Sequence, residues 1–390
     1  MKRTLLIILT VILLLVVILA AAWYIPMPLD PFHDFQVLYR ADTGILRGIA
    51  LYDREAQAEM VAGDLGVSVE RVFVLPFPYP PWFALATLPL VLLPAEVAVR
   101  AWFLLNITML LASVWLMTTD WHPRARLYSF IAAPLFFPVF GAWIVGQYVF
   151  PTILGAALLV HALQKQKALL AALGMALVTF KPHIGMFVAL AVAAHLLLRR
   201  DEFGRRAFFY TVITGAILFV LGFLADPAWP INYLRSLLDF RDVPGVSSCG
   251  LCASLPVGLA ALATGRTSIS LAFPLGAALF IILLGALLLF RREIFRDPGS
   301  LVTASVLVTL LADPYLLNYD FALLIVPLFS LASSARRADW FWLILAYLLP
   351  LFLLGMFGRG GSLYLPLTAL LLLSLQVKRA KSIDVSPRAA

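Results

Sequence analysis

Charge is scarce in this chain. Only 13% of its 390 residues are Asp, Glu, Lys or Arg, against 63% apolar residues and a mean hydropathy of +0.97. Those proportions exclude a water-soluble globule with an ordinary polar surface and make lipid the expected solvent. Cysteine is scarcer still. Cys249 and Cys252 stand in Ser-Ser-Cys-Gly-Leu-Cys with no second pair, which excludes a four-cysteine zinc site and leaves a local disulfide or two idle thiols. No collagen, heptad or solenoid repeat, low-complexity tract or likeness between the two halves is present, and no spacing of His, Asp and Glu argues for a metal. The net charge of +8 does not indicate nucleic acid, because the basic residues punctuate apolar runs instead of forming one stripe.

What is abundant is the apolar run itself. Leu5 to Trp23, Val97 to Met117, Phe208 to Leu224, Leu271 to Phe290 and Trp340 to Phe357 each approach the roughly 20 residues that span a bilayer as helix. Several others hold only about 13 to 16 residues, which predicts tilted, broken or half-inserted helices. Basic clusters such as Arg124/Arg126, Arg199/Arg200/Arg205/Arg206 and Lys378/Arg379/Lys381 mark cytoplasmic loops under the positive-inside rule, with both termini inside. The opening Met-Lys-Arg and Ala20-Ala21-Ala22 also fit a signal peptide, but the apolar run exceeds the usual length, so an uncleaved first helix is expected.

The expected fold is therefore an all-α polytopic membrane protein of about twelve transmembrane helices. The short run Pro81 to Pro94 reads as a separate crossing, a re-entrant piece or the upper part of a bent helix continuing to Met117; the charge pattern needs an odd number of crossings there, so one is counted. Residues 1–377 form one transmembrane domain and 378–390 a cytoplasmic tail. A first outer loop covers 25–80 and a second 225–266. The first carries eight acids against four arginines, opposite in sign to the cytoplasmic loops, and Phe35 to Leu51 has the apolar spacing of an interfacial helix.

Ionisable residues at membrane depth or at hairpin tips are costly and mark candidate sites. Four places stand out. His33-Asp34-Phe35 follows the first helix, where Asp34 reads equally as a helix cap. In Thr179-Phe180-Lys181-Pro182-His183, a proline between a cation and an imidazole leaves backbone donors open and suits a phosphate; a snorkelling lysine is the plain alternative. Ala312 to Phe321 packs Asp313, Tyr315, Asn318, Tyr319 and Asp320 into one tip, with Asp320 placed to cap the next helix. Gly146-Gln147-Tyr148 is the weakest. If the topology holds, all four face the same outer side and meet in one cavity.

At these residues the chain resembles glycosyltransferase family 87, of the GT-C superfamily. The matching pieces, in family order, are Asp34-Phe35 with Tyr39, Ala41, Gly48 and Leu51-Tyr52-Asp53; Tyr79-Pro80-Pro81 with Leu88-Pro89-Leu90; Gly146-Gln147; Lys181-Pro182; and Asn318 to Leu324. The resemblance implies a GT-C-type bundle with an extracytoplasmic first loop, in the inner (plasma) membrane. It implies an inverting transfer of a hexose, often mannose, from a polyprenyl-phosphate donor to a glycan or glycolipid acceptor, without a cofactor. The position matching the family's catalytic carboxylate is Asp34. Two departures stand beside it: Tyr148-Val149 where the family commonly has Asn soon after Gly-Gln, and Asp313-Pro314 where it has Ser-Pro.

On that reading Asp34 is the general base, needed once because inversion forms no covalent intermediate. Lys181, His183 and Arg359 are the candidates for the donor phosphate. Gln147, Tyr79, Asn318, Tyr319 and Asp320 are the candidates for the sugar and acceptor. A secondary transporter is the rival from another class, since it too embeds charges beside broken helices, although usually near mid-membrane and in repeated halves. A lipid-linked polysaccharide polymerase or ligase is nearer in kind, and its diphosphate donor predicts more outer arginines. A scaffold protein is the remaining alternative.

Overall fold

The computed structural model describes residues 2–25, 34–290, 292–295, 297–355 and 363–384. His33, Arg359 and residues 385–390 of the expected tail lie outside them. Among the described residues every regular element is a helix. Ala95–Met117, Glu202–Ala225 and Ile269–Leu289 are long and apolar enough to cross a membrane, and Pro123–Leu135 with Phe137–Ile144, bent by 50°, supplies another if counted as one span. The bend follows Pro134 and precedes Pro138, whose rings and missing N–H groups interrupt the helical ladder. Shorter apolar helices of 10–17 residues make up much of the remainder, as the short apolar runs predict.

Helices sort by the side they present. Glu202–Ala225 leaves Phe209, Val212, Ile217, Val220 and Leu224 each more than half exposed, a surface that only lipid solvates well. Val149–Lys165 and Pro298–Ala312 are buried nearly all round and form the interior. Two polar positions inside the latter are satisfied locally: Ser305 Oγ donates to the Leu301 carbonyl at 2.8 Å and Thr309 Oγ1 to the Ser305 carbonyl at 2.9 Å.

In the run Pro81 to Pro94 a seven-residue helix, Pro81–Thr87, passes into a 3-10 turn, Leu88–Leu92, that stops before Pro94. Together they rise about 20 Å, short of a core about 30 Å thick, so the segment does not cross alone by length. The first-loop helix runs Asp34–Leu46 rather than to Leu51, because Gly48 at φ 78° turns the chain out of the helix. Leu51 is then fully buried and donates its amide to the Ala225 carbonyl at 3.0 Å, tying the first loop to the start of the second. Asp320, whose plain alternative reading is a cap ahead of the next helix, caps instead from the third position of its own segment. It lies inside the 3-10 segment Asn318–Leu324, its Oδ2 accepting from the Leu317 amide at 2.9 Å.

The second loop folds as Trp229–Asp242, a short turn Pro244–Ser248 and Leu255–Thr264. Cys249 and Cys252 form the local disulfide. Both are buried against Ile269 and Ala272, with Tyr315 and Leu317 packed alongside. Ala253 N donates to the Leu316 carbonyl at 2.7 Å and Ser254 Oγ to the Pro314 carbonyl at 2.9 Å, so this loop holds the 312–318 tip in place.

The hairpin Ala168–Val178 and Pro182–Leu198 places Lys181 by backbone contact. A Cβ on Gly185 would stand 1.7 Å from the Val178 carbonyl oxygen, a separation no side chain permits. Gly185→Ala is expected to force the two helices apart and to lower stability by about 2 kcal/mol or more; thermal unfolding in detergent measures it, and an unchanged midpoint would show that the hairpin tolerates separation.

Candidate active site

Loop tips from distant parts of the chain meet around one buried cation. Pro182 occupies the first helical position, where its missing N–H costs nothing, and Lys181 precedes it with its side chain turned inward, 2% exposed. Its ammonium pairs with Asp320, 139 residues away and 1% exposed. It also donates to Gln147 Oε1 at 2.7 Å and stands 5.0 Å from the Tyr319 ring centroid. A snorkelling lysine is thereby excluded. Burying this pair is tolerable because each charge has its counter-charge and further hydrogen bonds.

Gln147 carries the order of this pair one step outward. Its Oε1 accepts from Lys181 and, at 3.2 Å, from the Tyr148 amide, so its amide group has one orientation left. Nε2 then donates to Asp34 Oδ2 at 2.5 Å. The backbone that allows this turns at Gly146, φ 66°, whose carbonyl accepts from Trp102 Nε1 at 2.9 Å. Tyr148, the departure from the family pattern, is fully buried and its hydroxyl donates to the Asp34 carbonyl. Asp34 is thus held at both its backbone and its side chain at the first turn of its helix. Burial pushes its carboxyl up to about 6, against the opposing pull of the Gln147 hydrogen bond, the Lys181 charge and the Tyr319 hydroxyl.

These groups open on a cavity of about 710 Å³. Asp34, Tyr79, Lys181, His183, Tyr319 and Asp320 line it, so the first-loop, 181–183 and 318–320 candidates are brought together. Gln147 lies one bond behind this surface, 1% exposed. His183 Nε2 stands 4.0 Å from Asp320 Oδ2, and its ring meets Tyr315 edge-on at 6.2 Å. Tyr79 packs edge-on to Tyr148 at 4.9 Å and its carbonyl accepts from Tyr52 at 2.7 Å. Asn318 begins the 3-10 segment but does not line the cavity. Asp313 sits on the same tip, with Oδ1 taken by the Tyr315 amide at 2.8 Å.

Much of the remaining wall comes from the second loop, through Tyr233, Leu237, Leu238, Phe240, Arg241 and Val246, and the rest from residues that include Val37, Leu75 and Pro78 of the first loop and Met186, Ile269 and Phe273. Sequence reading placed Tyr148 and Tyr315 within candidate tips without giving them a role, and did not single out Arg241, which only the alternation of arginine and aromatics in Trp229–Asp242 signals. Among the described residues no group of His, Cys, Asp and Glu is arranged to hold a metal ion.

Comparison with known families finds the model described as glycosyltransferase family 87 matching residues 77–318, more than half of the chain. The matched stretch contains Tyr79, Gln147, Lys181 and Asn318, begins after Asp34 and ends before Tyr319. No curated protein and no solved structure matches.

Removing the cation strands a buried carboxylate. Lys181→Met is expected to cost about 3 to 5 kcal/mol, and Lys181→Met with Asp320→Asn to cost less than Lys181→Met alone. Unfolding midpoints of the two single variants and the double variant measure the coupling; additive losses would show that the two charges do not depend on one another.

Proposed function

The chain belongs to glycosyltransferase family 87, and from that membership we propose that it moves a hexose, mannose first among candidates, from a polyprenyl-phosphate donor to an acceptor hydroxyl, with inversion. The observation that carries the proposal is the Asp34 carboxylate, oriented by Gln147 at the polar end of a cavity whose other walls are apolar. A polyprenyl-phosphate sugar has the same division, a hydrophilic sugar joined through phosphate to a hydrocarbon chain.

In this reading the acceptor is a glycan or glycolipid, and its hydroxyl oxygen attacks the anomeric carbon while its proton passes to Asp34. The bond between that carbon and the phosphate oxygen breaks, and the electron pair leaves with the polyprenyl phosphate. A carboxyl raised to about 6 is a stronger base than an ordinary aspartate and is still ionised at neutral pH. Lys181 and Asp320 act through Gln147, fixing its amide so that the donor side faces the base. Tyr79 and Tyr319 offer hydroxyls to the sugar from the cavity wall, and His183 offers an imidazole N–H to the phosphate. The topology that accompanies this has about twelve crossings, both termini cytoplasmic and the cavity on the extracytoplasmic side, following the basic loops.

Purified protein in lipid, supplied with radiolabelled polyprenyl-phosphate mannose and a cell-envelope extract, is expected to form a labelled product that Asp34→Asn does not form, with insertion and unfolding midpoint retained. Product from Asp34→Asn at the wild-type rate would remove Asp34 as the base. The wild-type rate is expected to fall as pH drops through about 6, because protonated Asp34 cannot accept a proton. A flat profile between pH 5 and 7 would contradict that assignment.

A further inference from the structure

Two full cations line the cavity among the described residues, Lys181 and Arg241, and they are not in equivalent situations. A lysine ammonium has three N–H groups. Those of Lys181 are directed at Asp320, Gln147 and the face of Tyr319. Its charge is matched by Asp320, so the buried corner of the cavity retains the negative charge of Asp34. A phosphate brought there meets a carboxylate and a cation already neutralised. After transfer the leaving phosphate carries more negative charge than before, and a cation with donors still open is what stabilises it.

Arg241 has that character. It lies in the last turn of Trp229–Asp242, and its side chain is half exposed. Phe240, next to it, packs edge-on against Tyr315 at 5.7 Å, and Tyr315 meets His183 at 6.2 Å, so the helix end is docked on the wall that carries His183. Leu237, one turn earlier on the same helix, lines the apolar part of the cavity with Val246 and Ile269. Arg241 therefore stands where hydrocarbon wall gives way to polar wall, the position that an amphiphile's phosphate occupies. Its present partner is the adjacent Asp242, with Nε to Oδ1 at 3.0 Å and Nη2 to Oδ2 at 3.5 Å, an exposed pair that is weak and exchangeable.

We infer that Arg241, with His183, contacts the phosphate of the lipid-linked donor, and that Lys181 is a positioning residue for Gln147 and Asp34. This rests on the donor being a polyprenyl phosphate, as proposed above. Arginine suits the task because its planar guanidinium gives two parallel hydrogen bonds to phosphate oxygens.

The test is direct binding of radiolabelled polyprenyl monophosphate, with uncharged polyprenol as the comparison, to the full chain in nanodiscs. Arg241→Gln is expected to weaken phosphate binding roughly tenfold and leave polyprenol binding unchanged. Asp242→Asn, which removes the competing carboxylate, is expected to tighten it two- to threefold, and Arg235→Gln, on the same helix but outside the cavity, to bind as wild type. The opposite signs at neighbouring positions separate a phosphate contact from a folding defect. Wild-type protein that binds both lipids alike would overturn the polyprenyl-phosphate reading and this inference with it. A wild type that prefers the phosphate, with Arg241→Gln and Asp242→Asn both unchanged, would overturn the assignment of Arg241 alone.

Discussion

The buried pair of Lys181 and Asp320 is the interaction on which the site depends. It joins the tip between two short helices to the 3-10 segment Asn318–Leu324, across 139 residues of chain. Desolvating either charge alone costs several kcal/mol, so neither tip is stable in this position without the other. The pair then dictates the orientation of Gln147, and Gln147 that of Asp34. A carboxylate set at the end of such a chain is positioned by charge neutralisation deep in the protein, not by the loop that carries it.

Around this line of contacts the second loop acts as a wall. It is braced twice, once by the Leu51 amide on the Ala225 carbonyl and once by the disulfide segment on the 314–316 backbone. Its helix Trp229–Asp242 is amphipathic in an unusual sense, with one end aromatic and packed and the other ending in an exposed arginine and acid. Apolar and polar walls thus come from different parts of the chain and meet along one edge of the cavity.

Much of this was readable in advance, and the limit has a physical cause. Hairpin tips near Gly146, Phe180 and Ala312 are marked by glycine, proline and charge interrupting apolar runs, and the chain turns there. Membrane character and helical class follow from composition in the same way, while the Cys249–Cys252 bond is one of two readings that the spacing leaves open. Partnership does not, because sequence records neither which tips touch nor at what depth. Lys181 reads alone as an open cation, and only its contact with Asp320 makes it a neutralised one. Tyr148 looks like a lost asparagine until its hydroxyl is seen on the Asp34 carbonyl.

The shortness of the helices around the site bears on the membrane itself. Ala168–Val178 has 11 residues and rises about 16 Å, roughly half of a hydrocarbon core about 30 Å thick. Where such a helix leads up to Lys181, either the tip sits within the apolar slab or the bilayer thins to meet it. The first sets Asp34 below the headgroup plane among the lipid chains, and the second brings that plane down to it. The proposed lipid-borne sugar would then meet the carboxylate with its chain still among other chains, and the thickness of the surrounding membrane becomes part of the site's geometry.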